Sequence, residues 1–157
     1  STKPHADLNE TVNKKTLNTN PTEKLLIKLM LEETELIERI RRELEPADFQ
    51  DERISRIVSI MFDLATQGKT IEPRLLINHL GEEDTSQIIC ESMFMTEDLS
   101  TQDKEKIIND CIQRLKGKKL RLKKQHLHDQ IRTAQKLGDE KKLSRLIEEF
   151  HYLIKKR

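Results

Sequence analysis

The sequence has no tryptophan, few other aromatic residues (four phenylalanines and one tyrosine), and only four glycines and four prolines in 157 residues. Aromatic residues are enriched in strands, and frequent glycine and proline accompany the many turns of all-β folds. Their scarcity argues against a β protein, while the abundant Leu, Ile, Glu, Lys and Arg favour helices. The composition therefore predicts an all-α protein.

Motifs of catalysis, metal binding and membrane insertion are also missing. Cys90 and Cys111 have no cysteine or histidine near them at ligand spacing, so both are predicted to be buried free thiols of an intracellular protein. His126 and His128 would point in different directions on a helix, unlike a metal-binding pair. No phosphate loop, nucleophile motif or acidic metal cluster occurs, and no apolar run approaches the ~18 residues of a membrane span. We therefore expect no enzyme activity, no cofactor and no metal.

Charge is plentiful, at 36% of the residues, and it is distributed unevenly. Residues 1–100 contain 12 Lys and Arg against 20 Asp and Glu, a net charge of −8. Residues 101–157 contain 17 against 8, a net charge of +9. An acidic body joined to a basic arm suggests that the two parts have different partners.

The first part of the chain has the helical spacing of a compact bundle at residues 21–99, after a polar tether at residues 1–20. Asn20 as the cap, Pro21 at the first helical position and Glu23 three residues after the cap predict the start of the first of five short helices. Later helices are predicted to stop at the helix breakers Pro46, Gly68 and Gly81. The residues expected to face the core are Leu25, Leu26, Leu29, Met30, Leu36, Ile37, Ile40, Leu44, Ile54, Ile57, Val58, Met61, Leu64, Ala65, Ile88, Ile89 and Met93.

The second part is predicted to be a long connecting helix at residues 100–130, capped by Ser100, Thr101, Gln102 and Asp103, which leads into a helical hairpin at residues 131–157. Gly138 can adopt the left-handed conformation that ends a helix, and Asp139 can cap the next one. The end of the long helix then forms the first arm of the hairpin. The expected architecture is a bundle, a long helix and a carboxy-terminal αα-hairpin.

The middle of the long helix, residues 114–124, has seven basic residues in eleven. Such a segment could bind nucleic-acid phosphates, or it could be a solvated connection that bends at Gly117. The basic residues fall all round the helix, and no aromatic residue is interleaved for base stacking. The solvated connection is the favoured interpretation, with weak or no direct binding of nucleic acid.

The last helix carries an apolar stripe that a two-helix unit cannot bury completely. Part of the stripe must pack the two arms together, and the rest is available to another protein. The residues predicted to bind a partner are Leu143, Leu146, Ile147, Phe150, His151, Leu153, Ile154 and Lys155.

The order of these features resembles the carboxy-terminal helicase-binding domain of bacterial DNA primase, over residues 22–157. The resemblance rests on the Leu25–Leu26 pair, Phe49 after an acidic-proline turn, the helix end from Leu64 to Gly68, and the hairpin turn in AQKLGDEKKLSRLIEEFHYLIKK. It implies a non-catalytic domain whose hairpin docks onto the amino-terminal collar of the hexameric replicative DNA helicase in the bacterial cytoplasm. Some relatives also bind the acidic tail of single-strand-binding protein, and on that basis the resemblance suggests this tail as a second partner.

Two alternatives remain beside this interpretation. The first is the amino-terminal domain of a replicative helicase itself, because that domain looks like the bundle. It is disfavoured because the hairpin ends the chain without a linker into a motor domain. The second is a nucleic-acid-binding helical protein that acts through residues 114–124.

Overall fold

The computed structural model of the chain describes residues 19–81, 83–95 and 103–155. Within these ranges the chain forms seven α-helices and no strand, which confirms the predicted all-α class. The chain divides into two compact units, one ending at Leu115 and the other beginning at Lys116. Some predicted features lie outside the described residues: most of the polar tether (1–18) and the cap residues Ser100, Thr101 and Gln102.

The first unit is a helical bundle with one continuous apolar core. Its helices are α1 (Pro21–Glu32), α2 (Leu36–Arg41), α3 (Glu52–Thr66), α4 (Pro73–Leu80) and α5 (Glu83–Met93), with a 3-10 turn at Pro46–Asp48. Helix α1 packs mainly against α5, and α3 contacts α2, α4 and α5. The first turns of the next helix, α6 (Lys104–Leu137), complete the core with Ile108, Cys111, Ile112 and Leu115.

Helix α1 begins where the sequence predicts, but one of its polar residues has an unexpected role. The side-chain oxygen of Asn20 accepts a hydrogen bond of 2.9 Å from the backbone N–H of Thr22. Glu23 lies in the first turn of α1, but its side chain is fully buried. Its carboxylate accepts a hydrogen bond of 3.3 Å from the backbone N–H of Asp51. This contact links the start of α1 to the residue that caps α3.

Helix α3 is capped by Asp51, whose carboxylate accepts a hydrogen bond of 2.9 Å from the backbone N–H of Arg53. The Arg53 guanidinium also donates to both carboxylate oxygens. These side-chain hydrogen bonds are the main reason why the pKa of Asp51 is lowered, although partial burial opposes the shift. Because the folded-state pKa lies below the unfolded value, this stabilisation is present at neutral pH and is lost as the pH falls through the folded-state pKa.

Helix α5 corrects two predictions. Met93 is 44% exposed and Cys90 is also exposed, although both were expected to be buried. The buried positions of α5 are Thr85, Ile88, Ile89 and Ser92, so Ser92 occupies the inward position expected for Met93. Its hydroxyl donates a 2.8 Å hydrogen bond to the carbonyl oxygen of Ile88, which removes the cost of burying a polar group. Cys111, in contrast, is buried as predicted.

A smaller difference concerns α2, which ends at Arg41 rather than continuing to Pro46. Leu44 is nevertheless buried, and it reaches the core from the turn that follows the helix. Gly68 and Gly81 end α3 and α4 with φ angles of 68° and 64°, as their left-handed preference predicts.

Helix α6 is a single helix of 34 residues that continues through Gly117 without interruption. Asp103 caps its start by accepting a 3.1 Å hydrogen bond from the backbone N–H of Glu105. The helix ends before Gly138, which has a φ angle of 68°, and α7 (Glu140–Lys155) follows at once. Asp139 caps α7 through the backbone N–H of Lys142 at 3.2 Å. None of the helices in the described ranges is long and apolar enough to cross a membrane.

Replacing Gly138 with alanine is expected to destabilise the second unit, whereas the same change at Gly117 is expected to stabilise it. Apart from the adjoining backbone, no described atom would lie within 4 Å of a Cβ at either glycine, so neither change causes a clash. Gly138 has a positive φ, which costs an L-residue about 1–2 kcal/mol. Gly117 lies inside a helix, where alanine is favoured by about 0.5–1 kcal/mol. Urea unfolding followed by far-UV circular dichroism measures both changes. Equal shifts of the same sign would contradict the assigned turn geometry.

Candidate protein-interaction site

The second unit is an αα-hairpin with a very small core. Its buried side chains are Leu127 and Ala134 from α6 and Leu146 from α7. Four partly buried side chains surround them: Ile131, Leu143, Phe150 and Leu153. The two arms therefore bury only one strip of each helix, and the opposite side of each helix is exposed.

The structure divides the predicted partner-binding residues into two groups. Leu143, Leu146, Phe150 and Leu153 point toward α6 and form the hairpin core, so Phe150 is not an exposed aromatic anchor. The other four residues are exposed on the side of α7 next to this strip: Ile147, His151, Ile154 and Lys155. Spacings of four, seven and eight residues put these four on one side of a helix. We call them the exposed edge of α7.

The exposed edge alternates apolar and polar side chains along the helix. Ile147 is 38% exposed and Ile154 is 46% exposed, which is unusual for isoleucine in a helix that has an apolar strip to bury. His151 lies between them on the helix surface, and Lys155 follows at the carboxyl end. The apolar stripe of α7 is thus wider than the surface that α6 covers.

A groove between α6 and α7 contains a residue that the sequence reasoning missed. Tyr152 is 67% exposed and lines a hollow of about 600 Å³ together with Lys123, His126, Leu127, Gln130, Glu148, Glu149 and Leu153. The tyrosine lies outside the apolar stripe, and therefore the helical periodicity did not select it. The residue type alone could have indicated Tyr152 as a contact residue, since tyrosine is enriched at protein interfaces.

The histidines and acidic residues do not assemble into a metal site within the described ranges. No three His, Cys, Asp or Glu side chains come together there in an arrangement that could hold a metal ion. His79, His126, His128 and His151 are all exposed to solvent. The feature that remains on the hairpin is the uncovered apolar surface of Ile147 and Ile154.

Comparison with known proteins identifies the bundle. The model of the DnaB-like helicase N-terminal domain family matches residues 15–102, which is more than half of the chain. The matched region covers α1 to α5, and it ends before α6 and the hairpin. Searches of curated proteins and of solved structures each found no significant match.

This match corrects the function predicted from the sequence. The resemblance to the helicase-binding domain of primase is wrong, because the family that matches is the helicase domain that was the first alternative. The bundle was expected to look alike in the two families, and the point at which the sequence ends was no reason to prefer primase. The chain belongs to the DnaB-like helicase N-terminal domain family.

Proposed function

We propose that the chain acts as the amino-terminal domain of a DnaB-like helicase, and that it is a non-catalytic module that joins helicase subunits during DNA replication in the cytoplasm. The observation that carries this proposal is the family match over residues 15–102. The bundle supplies a rigid body for such a module, since its core includes many fully buried aliphatic side chains. The hairpin supplies the contact surface.

The exposed edge of α7 is the part of the hairpin best suited to contact a second copy of the same chain. Ile147 and Ile154 leave apolar surface uncovered on a unit whose core has three buried side chains among the described residues. A symmetric contact would put the same edge of two hairpins together, which is the commonest arrangement in homo-oligomers. Burial of each isoleucine would contribute about 1.5–3 kcal/mol before the costs of association.

A chimeric helicase tests this function. The amino-terminal domain of a DnaB-like helicase is replaced by residues 1–157, and the assembly state is measured by light scattering after gel filtration. We expect the chimera to form the same oligomer as the parent helicase. The double substitution Ile147→Asp and Ile154→Asp is expected to raise the concentration needed for assembly at least about tenfold, because it puts two charges into an apolar contact.

The matched control is Leu75→Asp, which introduces the same charge at an apolar residue of the bundle that is 40% exposed. This variant is expected to assemble normally. A chimera that stays monomeric although circular dichroism shows it folded would contradict the joining function. Normal assembly of the Ile147 and Ile154 variant would instead show that the exposed edge is not part of the contact. The proposed joining function of the domain would still stand in that case.

A further inference from the structure

One side of α6 in the second unit carries a row of basic side chains that the hairpin does not use. Its cations are Lys118, Arg121, Arg132 and Lys136, with Gln125 and His128 between them. Successive members are three or four residues apart, which puts them on one side of the helix. All six side chains are exposed. We call this set the basic row.

The basic row lies on the side of α6 that faces away from α7. At 3.6 residues per turn, the centre of the row is roughly opposite Leu127 and Ala134, which pack against α7. The sequence pattern alone had placed cations all round the helix. The packing of α7 separates them, because it covers one side of α6 and leaves the row accessible along its whole length.

Within the described part of the chain, no carboxylate neutralises the charges of the row. In the bundle, basic side chains form ion pairs with nearby carboxylates, as Arg39 does with Glu43 and Arg53 with Asp51. Among the described residues, none of the four cations of the row forms an ion pair. Like charges three or four residues apart destabilise a helix by a few tenths of a kcal/mol per pair. Repulsion within the row therefore destabilises α6 slightly, and a bound polyanion would remove this repulsion.

The surroundings of the row are also predominantly basic. Residues 116–157 contain 14 Lys and Arg against 5 Asp and Glu. One of these acids, Asp129, lies beside the row and lines a shallow hollow of about 210 Å³ with Arg132, Thr133 and Lys136. A single carboxylate leaves the local charge strongly positive, so the row attracts anions over its full length.

The length and composition of the row fit the phosphate backbone of a nucleic acid. Lys118 and Lys136 are 18 residues apart, or about 27 Å along a helix. Double-stranded DNA carries a phosphate charge for every ~1.7 Å of its axis, so several phosphates can reach the four cations. The row contains no aromatic residue to stack on bases, and backbone contacts carry no sequence information.

We propose that the basic row of α6 binds the phosphate backbone of nucleic acid without sequence preference. This activity is separate from the joining of subunits, because the row and the exposed edge of α7 share no residue. Binding is expected to be weak at physiological salt, with a Kd of about 10⁻⁴–10⁻⁶ M, as is typical of sequence-independent contacts.

Fluorescence anisotropy of the full chain with two labelled probes tests the proposal. The probes are a 20-nucleotide single strand and a 20-base-pair duplex of mixed sequence, titrated between 50 and 200 mM salt. If the four cations contact about four phosphates, log K should fall against log salt with a slope of about −3 to −4. The two probes show which form of nucleic acid is preferred, and binding of either one supports the proposal.

The decisive variant replaces Lys118, Arg121, Arg132 and Lys136 with glutamine. It is expected to bind at least about tenfold more weakly and to lose about 3–4 units of the salt slope. The matched control replaces Lys123, Lys141, Lys142 and Arg145 with glutamine, which removes the same charge from exposed positions outside the row. The control is expected to change affinity less than about threefold.

Three results would overturn the proposal. Equal losses in the two glutamine variants would mean that net charge alone drives binding. Absence of binding to both probes at 50 mM salt would exclude a phosphate-binding row. Binding of a poly-glutamate peptide without binding of either nucleic acid would make the row a surface for acidic proteins.

Circular dichroism of both variants checks that α6 stays helical, which is expected because removing like charges relieves repulsion.

Discussion

Replacement of Leu146 with aspartate is expected to unfold the hairpin of the second unit while the bundle stays folded. Leu146 is 5% exposed and is the only buried side chain that α7 contributes to the described hairpin core. An unpaired carboxylate in an apolar contact costs several kcal/mol. The three buried residues of the described hairpin core cannot compensate for this cost. Without that core, an isolated helix with the 16 residues of α7 is only marginally stable in water.

Hydrogen exchange measured by mass spectrometry distinguishes the two units. Peptides from α7 are expected to lose at least about 100-fold of their protection in the Leu146→Asp variant, which corresponds to about 3 kcal/mol. Peptides from α3 should keep theirs, because its buried residues belong to the separate core of the bundle. Ile154→Asp is the control, since it puts the same charge at a position of α7 that is 46% exposed. Loss of protection in both units would mean that they fold as one cooperative body.

Replacement of Leu29 with alanine is expected to lower the free energy of unfolding of the bundle by about 2–5 kcal/mol. Leu29 is fully buried in the core that α1 shares with the other helices of the bundle. The change removes apolar contacts and leaves a cavity, because the surrounding helices relax only partly. This loss is a large fraction of the 5–15 kcal/mol that stabilises a typical domain.

Urea denaturation measures this change as a shift of the unfolding midpoint. With a denaturant slope of about 1–3 kcal/mol per molar urea, the midpoint should fall by about 1–3 M. The control is Leu75→Ala in α4, which shortens a leucine that is 40% exposed. Its midpoint should change by less than about 0.5 M. A similar shift in the two variants would contradict the position of Leu29 in the core.

The helical class and most helix ends could be predicted from the sequence because they depend on neighbouring residues. Asn20 caps α1, Asp103 caps α6 and Asp139 caps α7 through hydrogen bonds to backbone N–H groups two or three residues away. Gly138 ends α6 because a positive φ is accessible to glycine at little cost. These interactions form within one turn of the chain, so the local sequence is enough to identify them.

The candidate site could be predicted only in part. The sequence identified the apolar stripe of α7, but it could not tell which side chains α6 would cover. Phe150 faces the hairpin core and Ile154 remains exposed, although both belong to the same stripe. The difference depends on the angle at which the second helix packs, and that angle is not a local property. For the same reason the basic row could not be separated from the other cations of α6.

The sequence by itself determined that this chain is helical, where most of its helices begin and end, and that a hairpin turns at Gly138. The tertiary structure alone decided that Ser92 rather than Met93 enters the core, that Glu23 is bound by the backbone of Asp51, and which residues of the hairpin stay accessible. The physical reason is the range of the interactions. Caps and turns act between near neighbours, whereas burial depends on residues that are distant in sequence and meet only when the helices pack.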